Sequence, residues 1–172
     1  MNTPNKLTVV RLALVPVFII AAYFEMEKSM LIISTVIFAI ASATDFLDGH
    51  LARKHNLVTD FGKFMDPLAD KVLVAAALLV LIQMGRVESW AVLIIITREY
   101  AISIIRAIAS ANGKVIAASG GGKIKTVLQM LSIIMLLLSI PFANIVFYLS
   151  VAMTLYSGIQ YIWRNRELIA ER

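Results

Sequence analysis

Apolar residues run along this chain in six long stretches separated by short polar interruptions: Leu7 to Phe24, Met30 to Thr44, Val72 to Met84, Ser89 to Ile108, Val127 to Ile140 and Ala143 to Trp163. None shows the strict alternation of a barrel strand. An unpaired backbone cannot cross hydrocarbon, so the pattern predicts six helices. Pro16 lies inside the first and is expected to kink it. The connections are short, no internal repeat is visible, and the whole chain, 1–172, reads as a single transmembrane domain.

A spanning helix needs about 20 residues, and the second, third and fifth stretches fall short of that. Each can be lengthened only through polar sequence. Asp45 and Asp48 follow the second, Asp66 and Asp70 precede the third, and Lys123 to Thr126 precede the fifth. With the connections assigned alternately to two sides, all three extensions fall on the same side. The expected result is a charged cavity sunk into one half of a helix bundle.

Composition agrees that lipid is the solvent. Hydrophobic residues make up 60% of the chain, mean hydropathy is +0.85 and charged residues are 16%, against about 25% in soluble domains. That leaves too little polar surface for a water-soluble particle or a disordered tail. Of the 16 Lys and Arg, thirteen fall on the side of the acidic pairs, two (Lys28 and Arg86) on the other, and Arg98 inside the fourth stretch. By the positive-inside rule both termini and the cavity face the cytoplasm. Lys114 and the arginines from Arg164 to Arg172 read as anchors of that orientation. The first stretch runs into Glu25 and Glu27 without a small-residue exit, so no cleavable signal is expected. The basic residues are scattered between apolar segments, which favours anionic lipid or a phosphorylated substrate over nucleic acid.

Asp45 and Asp48 lie about 60° apart around a helix, and Asp66 and Asp70 about 40°. Each pair therefore shares a helix face. Four carboxylates near the membrane repel one another and are costly to bury unless a cation compensates them. Asp60 reads as a helix cap, and Asp66, which precedes Pro67, as a half-in cap or a helical position. The chain contains no cysteine, and His50 and His55 lack ligand spacing. An oxygen-only donor set points to Mg²⁺ or Mn²⁺, with four carboxylates enough for two ions. Such ions commonly serve phosphate and diphosphate substrates.

Arg98, Arg106, Lys123 and Lys125 supply positive charge at the same depth. For Arg98 two readings stand side by side: an ion pair with an aspartate or with Glu99 of another protomer, or a substrate phosphate. Adjacent Arg98 and Glu99 are not expected to meet on one helix. Gly120-Gly121-Gly122-Lys123-Ile124-Lys125-Thr126 lacks the spacing and preceding strand of a P-loop. It reads as a connector into a helix start that can still hold a phosphate.

Read as one string, Asp45 to Asp70 is D-x-x-D-G-x-x-A-R-x8-G-x3-D-x3-D, carried by Asp45, Asp48, Gly49, Ala52, Arg53, Gly62, Asp66 and Asp70. It resembles the signature of the CDP-alcohol phosphatidyltransferase family, with every fixed position filled. The likeness extends to Pro4-Asn5-x-Leu7-Thr8-x-x-Arg11, to Thr97-Arg98-Glu99 and to Gly122-Lys123-Ile124-Lys125-Thr126-x-x-Gln129. These are features of the branch whose acceptor is glycerol 3-phosphate. Ser119-Gly120-Gly121 departs from that branch, which often carries a bulkier residue before the last glycine.

The resemblance implies a six-helix transmembrane fold in the cell membrane, usually a homodimer, that moves a phosphatidyl group from CDP-diacylglycerol to an acceptor alcohol and releases CMP. It implies that Asp45, Asp48, Asp66 and Asp70 ligate metal and that Asp70 is the base. Gly49, Ala52 and Gly62 let cytidine approach the backbone, Arg53 meets the diphosphate, and Asn5 and Thr8 join the CDP side. Arg98, Arg106, Lys123, Lys125 and Thr126 would meet the acceptor's phosphate. Serine or inositol phosphate as acceptor, a prenyltransferase and a divalent-cation transporter are the rival readings. A prenyltransferase needs a longer chain, and a transporter needs an acidic path to the other face.

Overall fold

The structure, a computed structural model, describes the backbone of residues 3–55, 60–111 and 120–166, and within these the side chains of all but 3–7, 45–55, 60–67, 70 and 111. Among the described residues there are six α-helices and no strand: α1 (Thr3–Glu25), α2 (Ile32–His55), α3 (Asp60–Gln83), α4 (Ser89–Ala111), α5 (Gly120–Leu137) and α6 (Ala143–Arg164). Each carries one of the six apolar stretches, three of which overrun the helix: Met30 and Leu31 precede α2, Met84 follows α3, and residues 138–140 follow α5. The three short stretches are lengthened as expected: α2 continues past Asp45 and Asp48, α3 begins ahead of Asp66 and Asp70, and α5 begins ahead of Lys123. The apolar part of α2, Ile32–Thr44, spans only about 20 Å at 1.5 Å per residue, so the polar extension supplies the remaining length.

Two local expectations are refined. Asp60 opens α3, within a residue of the capping position. Asp66 is not a cap, because α3 already runs through Pro67 from six residues upstream. A proline within a helix removes one N–H donor, and the helix accommodates that loss. Asp66 and Asp70 thus occupy regular positions one turn apart. Pro16 likewise lies within α1, with helix on both sides.

Among the described residues three helices are long and apolar enough to cross a membrane on their own: α1 over Thr8–Glu25, α5 and α6. Every 18-residue window of α4 contains Arg98, Glu99 and Arg106, which keeps it out of that group. Large side chains such as Phe24, Leu93, Ile159 and Trp163 stand outward and well exposed. That distribution suits a surface wetted by hydrocarbon and not by water.

The chain divides into two compact units, residues 1–86 with 134–140, and residues 87–133 with 141–172. In the first, α1 packs on α2 and α3, which also touch each other. Thr8, Arg11, Val15, Phe18, Ala22 and Glu25 are all buried, and their spacing of three and four makes one stripe of α1. Phe18 meets Phe38 of α2 with ring centroids 6.2 Å apart. Glu25 reaches across to the start of α2, where its carboxylate accepts from Ile33 N–H (3.0 Å), Ser34 N–H (2.9 Å) and the Ser34 hydroxyl (2.7 Å). It thereby caps a neighbouring helix instead of its own. Arg86 does the converse for α5, donating to the carbonyls of Leu136 and Leu137 and, at 2.7 Å, to that of Ser29. Ser139 also donates to the Ser29 carbonyl, and Leu31 N–H to Leu137 (2.9 Å).

In the second unit α4 packs on α6. Trp90 stacks on Tyr148 at 6.1 Å, Arg98 bonds Ser157, and Arg106 meets Tyr161. The near-constant offset along the two sequences means that α4 and α6 run parallel, as alternate spans of an up-and-down bundle do.

Candidate active site

The acidic residues are placed by backbone alone. Asp45, Asp48, Gly49, Ala52 and Arg53 lie on α2, and Gly62, Asp66 and Asp70 on α3; Asn5 lies on α1. The side chains of all nine are outside the described residues, as are His50 and His55, while Lys114 and Ser119 lie outside the described backbone. Both acid pairs sit on regular helix, so each shares a face, and α2 and α3 are in contact. Among the described residues no group of three or more His, Asp or Glu is assembled. The four aspartates form an oxygen-only donor set of the kind that suits a hard divalent ion.

α1 adds two groups to the same unit. Thr8 is completely buried, and Arg11, one turn further on, is 1% exposed, the largest of the fully buried side chains. As a member of the basic majority on one side, Arg11 was expected to orient the chain in the membrane. Its helix position instead turns it inward, on the stripe that packs against α2 and α3.

The basic residues of the second unit divide into two groups. Lys125 is almost wholly enclosed, with its side chain 3% exposed, and its Nζ donates to Glu99 Oε1 at 2.5 Å. The same oxygen accepts from Arg98 Nη1 at 3.0 Å. This overturns the expectation that Arg98 and Glu99 cannot meet. Their Cα–Cβ bonds diverge by about 100°, but both side chains are long enough to curl toward Lys125, which draws them to a common point. Glu99 Oε1 thus gathers two cations from two helices, Arg98 partly exposed at 14% and Lys125 enclosed, in charge-assisted hydrogen bonds.

The serines and threonine of α6 shape this cluster. Ser150, Thr154 and Ser157 are buried, and each hydroxyl donates to the α6 backbone carbonyl three or four residues earlier. Ser157 Oγ, its proton committed to Thr154, accepts from Arg98 Nη2 at 3.1 Å. Gly158 lets the arginine stem lie against α6: a β-carbon there would stand 3.2 Å from Arg98 Cγ. Arg106, two turns along α4, donates from Nε to the Tyr161 hydroxyl (3.4 Å) with its guanidinium 5.5 Å from the ring centroid. Gln129, one turn from Lys125 on α5, is 3% exposed, and its Oε1 has no hydrogen-bond partner among the described residues.

Lys123 and Thr126 are exposed, and the Thr126 hydroxyl donates back to the Gly122 carbonyl at 3.0 Å. The structure thus joins Arg98 and Lys125 through Glu99, sets Arg106 on Tyr161, and leaves Lys123 and Thr126 facing outward. Ser157, Gly158 and the cis role of Glu99 were not anticipated. The available signal was a run of small and hydroxylated residues at helical spacing within the last apolar stretch.

The model of the CDP-alcohol phosphatidyltransferase family matches residues 1–156. Among curated proteins the chain is 41% identical to a CDP-diacylglycerol–glycerol-3-phosphate 3-phosphatidyltransferase of Bacillus subtilis, covering 98% of this chain and 97% of the relative. It is 42% identical to the Haemophilus influenzae protein of the same name, with 94% and 91% covered. A Rickettsia bellii protein, again of that name, is 38% identical over 85% of this chain and 80% of its own length. The motif on α2 and α3, the match over most of the length and these likenesses agree: the chain belongs to the CDP-alcohol phosphatidyltransferase family.

Proposed function

We infer that this protein transfers the phosphatidyl group of CDP-diacylglycerol to glycerol 3-phosphate, giving phosphatidylglycerol phosphate and CMP. The observation that carries the reading is the complete eight-position motif on two helices in contact, α2 and α3, supported by relatives that bear this activity in their names.

Asp45, Asp48, Asp66 and Asp70 hold the divalent metal, Mg²⁺ or Mn²⁺ and two ions by donor count. When bound, it screens the diphosphate and stabilises the charge that develops on departing CMP. Gly49, Ala52 and Gly62 admit the cytidine to the helix backbone, Asn5 and Thr8 complete that side, and Arg53 meets the diphosphate. Asp70 takes the proton of the attacking hydroxyl as the new oxygen–phosphorus bond forms and the diphosphate bridge breaks. The acceptor's phosphate is met by Arg98, Arg106, Lys123, Lys125 and Thr126. Arg98 and Lys125, brought together on Glu99 Oε1, support this: paired cations suit an arriving anion better than a neutral alcohol. The protein is a single catalytic domain of six membrane-crossing helices in the cell membrane, with both termini cytoplasmic, and works as a homodimer.

Purified protein in detergent, given CDP-diacylglycerol and in turn glycerol 3-phosphate, myo-inositol 1-phosphate or serine, tests the assignment. Release of CMP with glycerol 3-phosphate, abolished by EDTA, is expected. Release with serine but not glycerol 3-phosphate overturns the acceptor, and metal uptake into liposomes without CMP overturns the enzyme.

A further inference from the structure

The function proposed above has no use for Arg11, although its guanidinium is the largest fully buried side chain described. Contacts between α1 and α2 fix the level at which it lies. Glu25 near the end of α1 bonds Ile33 and Ser34 near the start of α2, and Phe18, seven residues back, meets Phe38. The two helices therefore run antiparallel, each rising about 1.5 Å per residue, and the two contacts, two to three residues apart in register, bracket the level of any residue further along. Seven residues further back along α1 is Arg11. The matching step from Phe38 reaches Asp45, and fourteen residues on from Ser34 is Asp48. Arg11 thus stands level with the α2 acid pair, on the stripe of α1 that also holds Thr8, Val15 and Phe18.

We propose that Arg11 is a resident counter-charge of the aspartate site, a positioning residue that partly neutralises the carboxylates and sets how tightly they hold a divalent ion. A fixed cation level with the acid pair lowers the mutual repulsion of the carboxylates without metal and opposes the approach of a second cation. Removing it leaves the empty site less stable and the metal more strongly held. The proposal rests on the reading that Asp45, Asp48, Asp66 and Asp70 bind a divalent ion.

The test is Mn²⁺ titration of purified full-length protein in detergent, with free ion read from its paramagnetic resonance signal. Arg11→Gln is expected to bind Mn²⁺ on the order of tenfold tighter than wild type, while Arg11→Lys, which keeps the charge, stays within about twofold. Arg11→Gln should also melt lower in EDTA and gain more on adding Mn²⁺. If the glutamine variant survives only with metal bound, loaded protein is challenged with graded nitrilotriacetate, and more chelator is expected to be needed than for wild type. Equal or weaker Mn²⁺ retention in Arg11→Gln overturns the proposal, and a raised KM for CDP-diacylglycerol beside it reassigns the residue to substrate. Wild type that binds no Mn²⁺ overturns the metal reading and this proposal together; wild-type binding with an unmoved variant overturns this one alone.

Discussion

Two sets of charged side chains in this molecule, each with one buried member, Glu25 or Lys125, differ in what their charges touch. In the first unit, Glu25 and Arg86 bond chiefly to backbone at helix ends: two N–H groups and the Ser34 hydroxyl at the start of α2, two carbonyls at the end of α5 and one at Ser29. In the second unit, Arg98, Glu99 and Lys125 bond chiefly to each other and to a serine hydroxyl, midway along a helix whose backbone is already satisfied. A charge that closes a helix end completes the fold. Charges that meet one another away from a helix end do not serve that purpose, and the function proposed above gives them the acceptor's phosphate.

That contrast breaks if variants of the two groups behave alike. The largest effect is expected at the acidic motif: Asp70→Asn, or EDTA on wild type, should abolish CMP release while leaving the melting temperature of the metal-free protein within about 2–4 °C, the shift of a change near 1 kcal/mol. Next, Glu25→Ala should cost about 2–3 kcal/mol through the orphaned α2 donors, read as a melting temperature lower by roughly 5–10 °C. The KM for glycerol 3-phosphate should not move in the molecules that remain folded. Lys125→Ala reverses this pattern, with KM for glycerol 3-phosphate raised about tenfold, near 1.4 kcal/mol. If it lowers stability as much as Glu25→Ala and leaves KM unchanged, the cluster is structural and the comparison fails. The smallest effect is expected for Gly158→Ala. Its methyl displaces the Arg98 stem by a few tenths of an ångström, and a KM change of about twofold to threefold, below 1 kcal/mol, is the expected reading.

Much of the architecture was legible in the chain itself. The shortness of the second, third and fifth apolar stretches demanded helical extension through Asp45, Asp66 and Lys123, and the helices are so extended. Boundaries were less legible. The fifth stretch was read to Ile140, but α5 stops at Leu137 because Ser139 turns into the left-handed region at φ 54, with Phe142 following at φ 66. Asp66 misled because a rule about the residue before proline weighs one bond, while the surrounding helix weighs a whole turn. Arg98 and Glu99 misled because angular separation on a helix describes β-carbons, not the ends of long side chains. Arg11 was counted as a charge on one side of a membrane, and no count of charges reveals which stripe of a helix faces its neighbours. Lys123 and Lys125 looked equivalent in sequence and differ wholly in exposure, for the same reason.

The two ends of α1 carry one more lesson. A helix favours negative charge at its N-terminus and positive charge at its C-terminus, yet α1 buries an arginine in its early turns and a glutamate at its close. Each of these charges is costly while desolvated and unpaired, and Glu25 in addition stands at the carbonyl end of the peptide dipoles. Only when the second helix folds back, offering its own N-terminal amides to Glu25, does the glutamate become an asset. The last turn of α1 is therefore complete only once the first turn of α2 has formed against it.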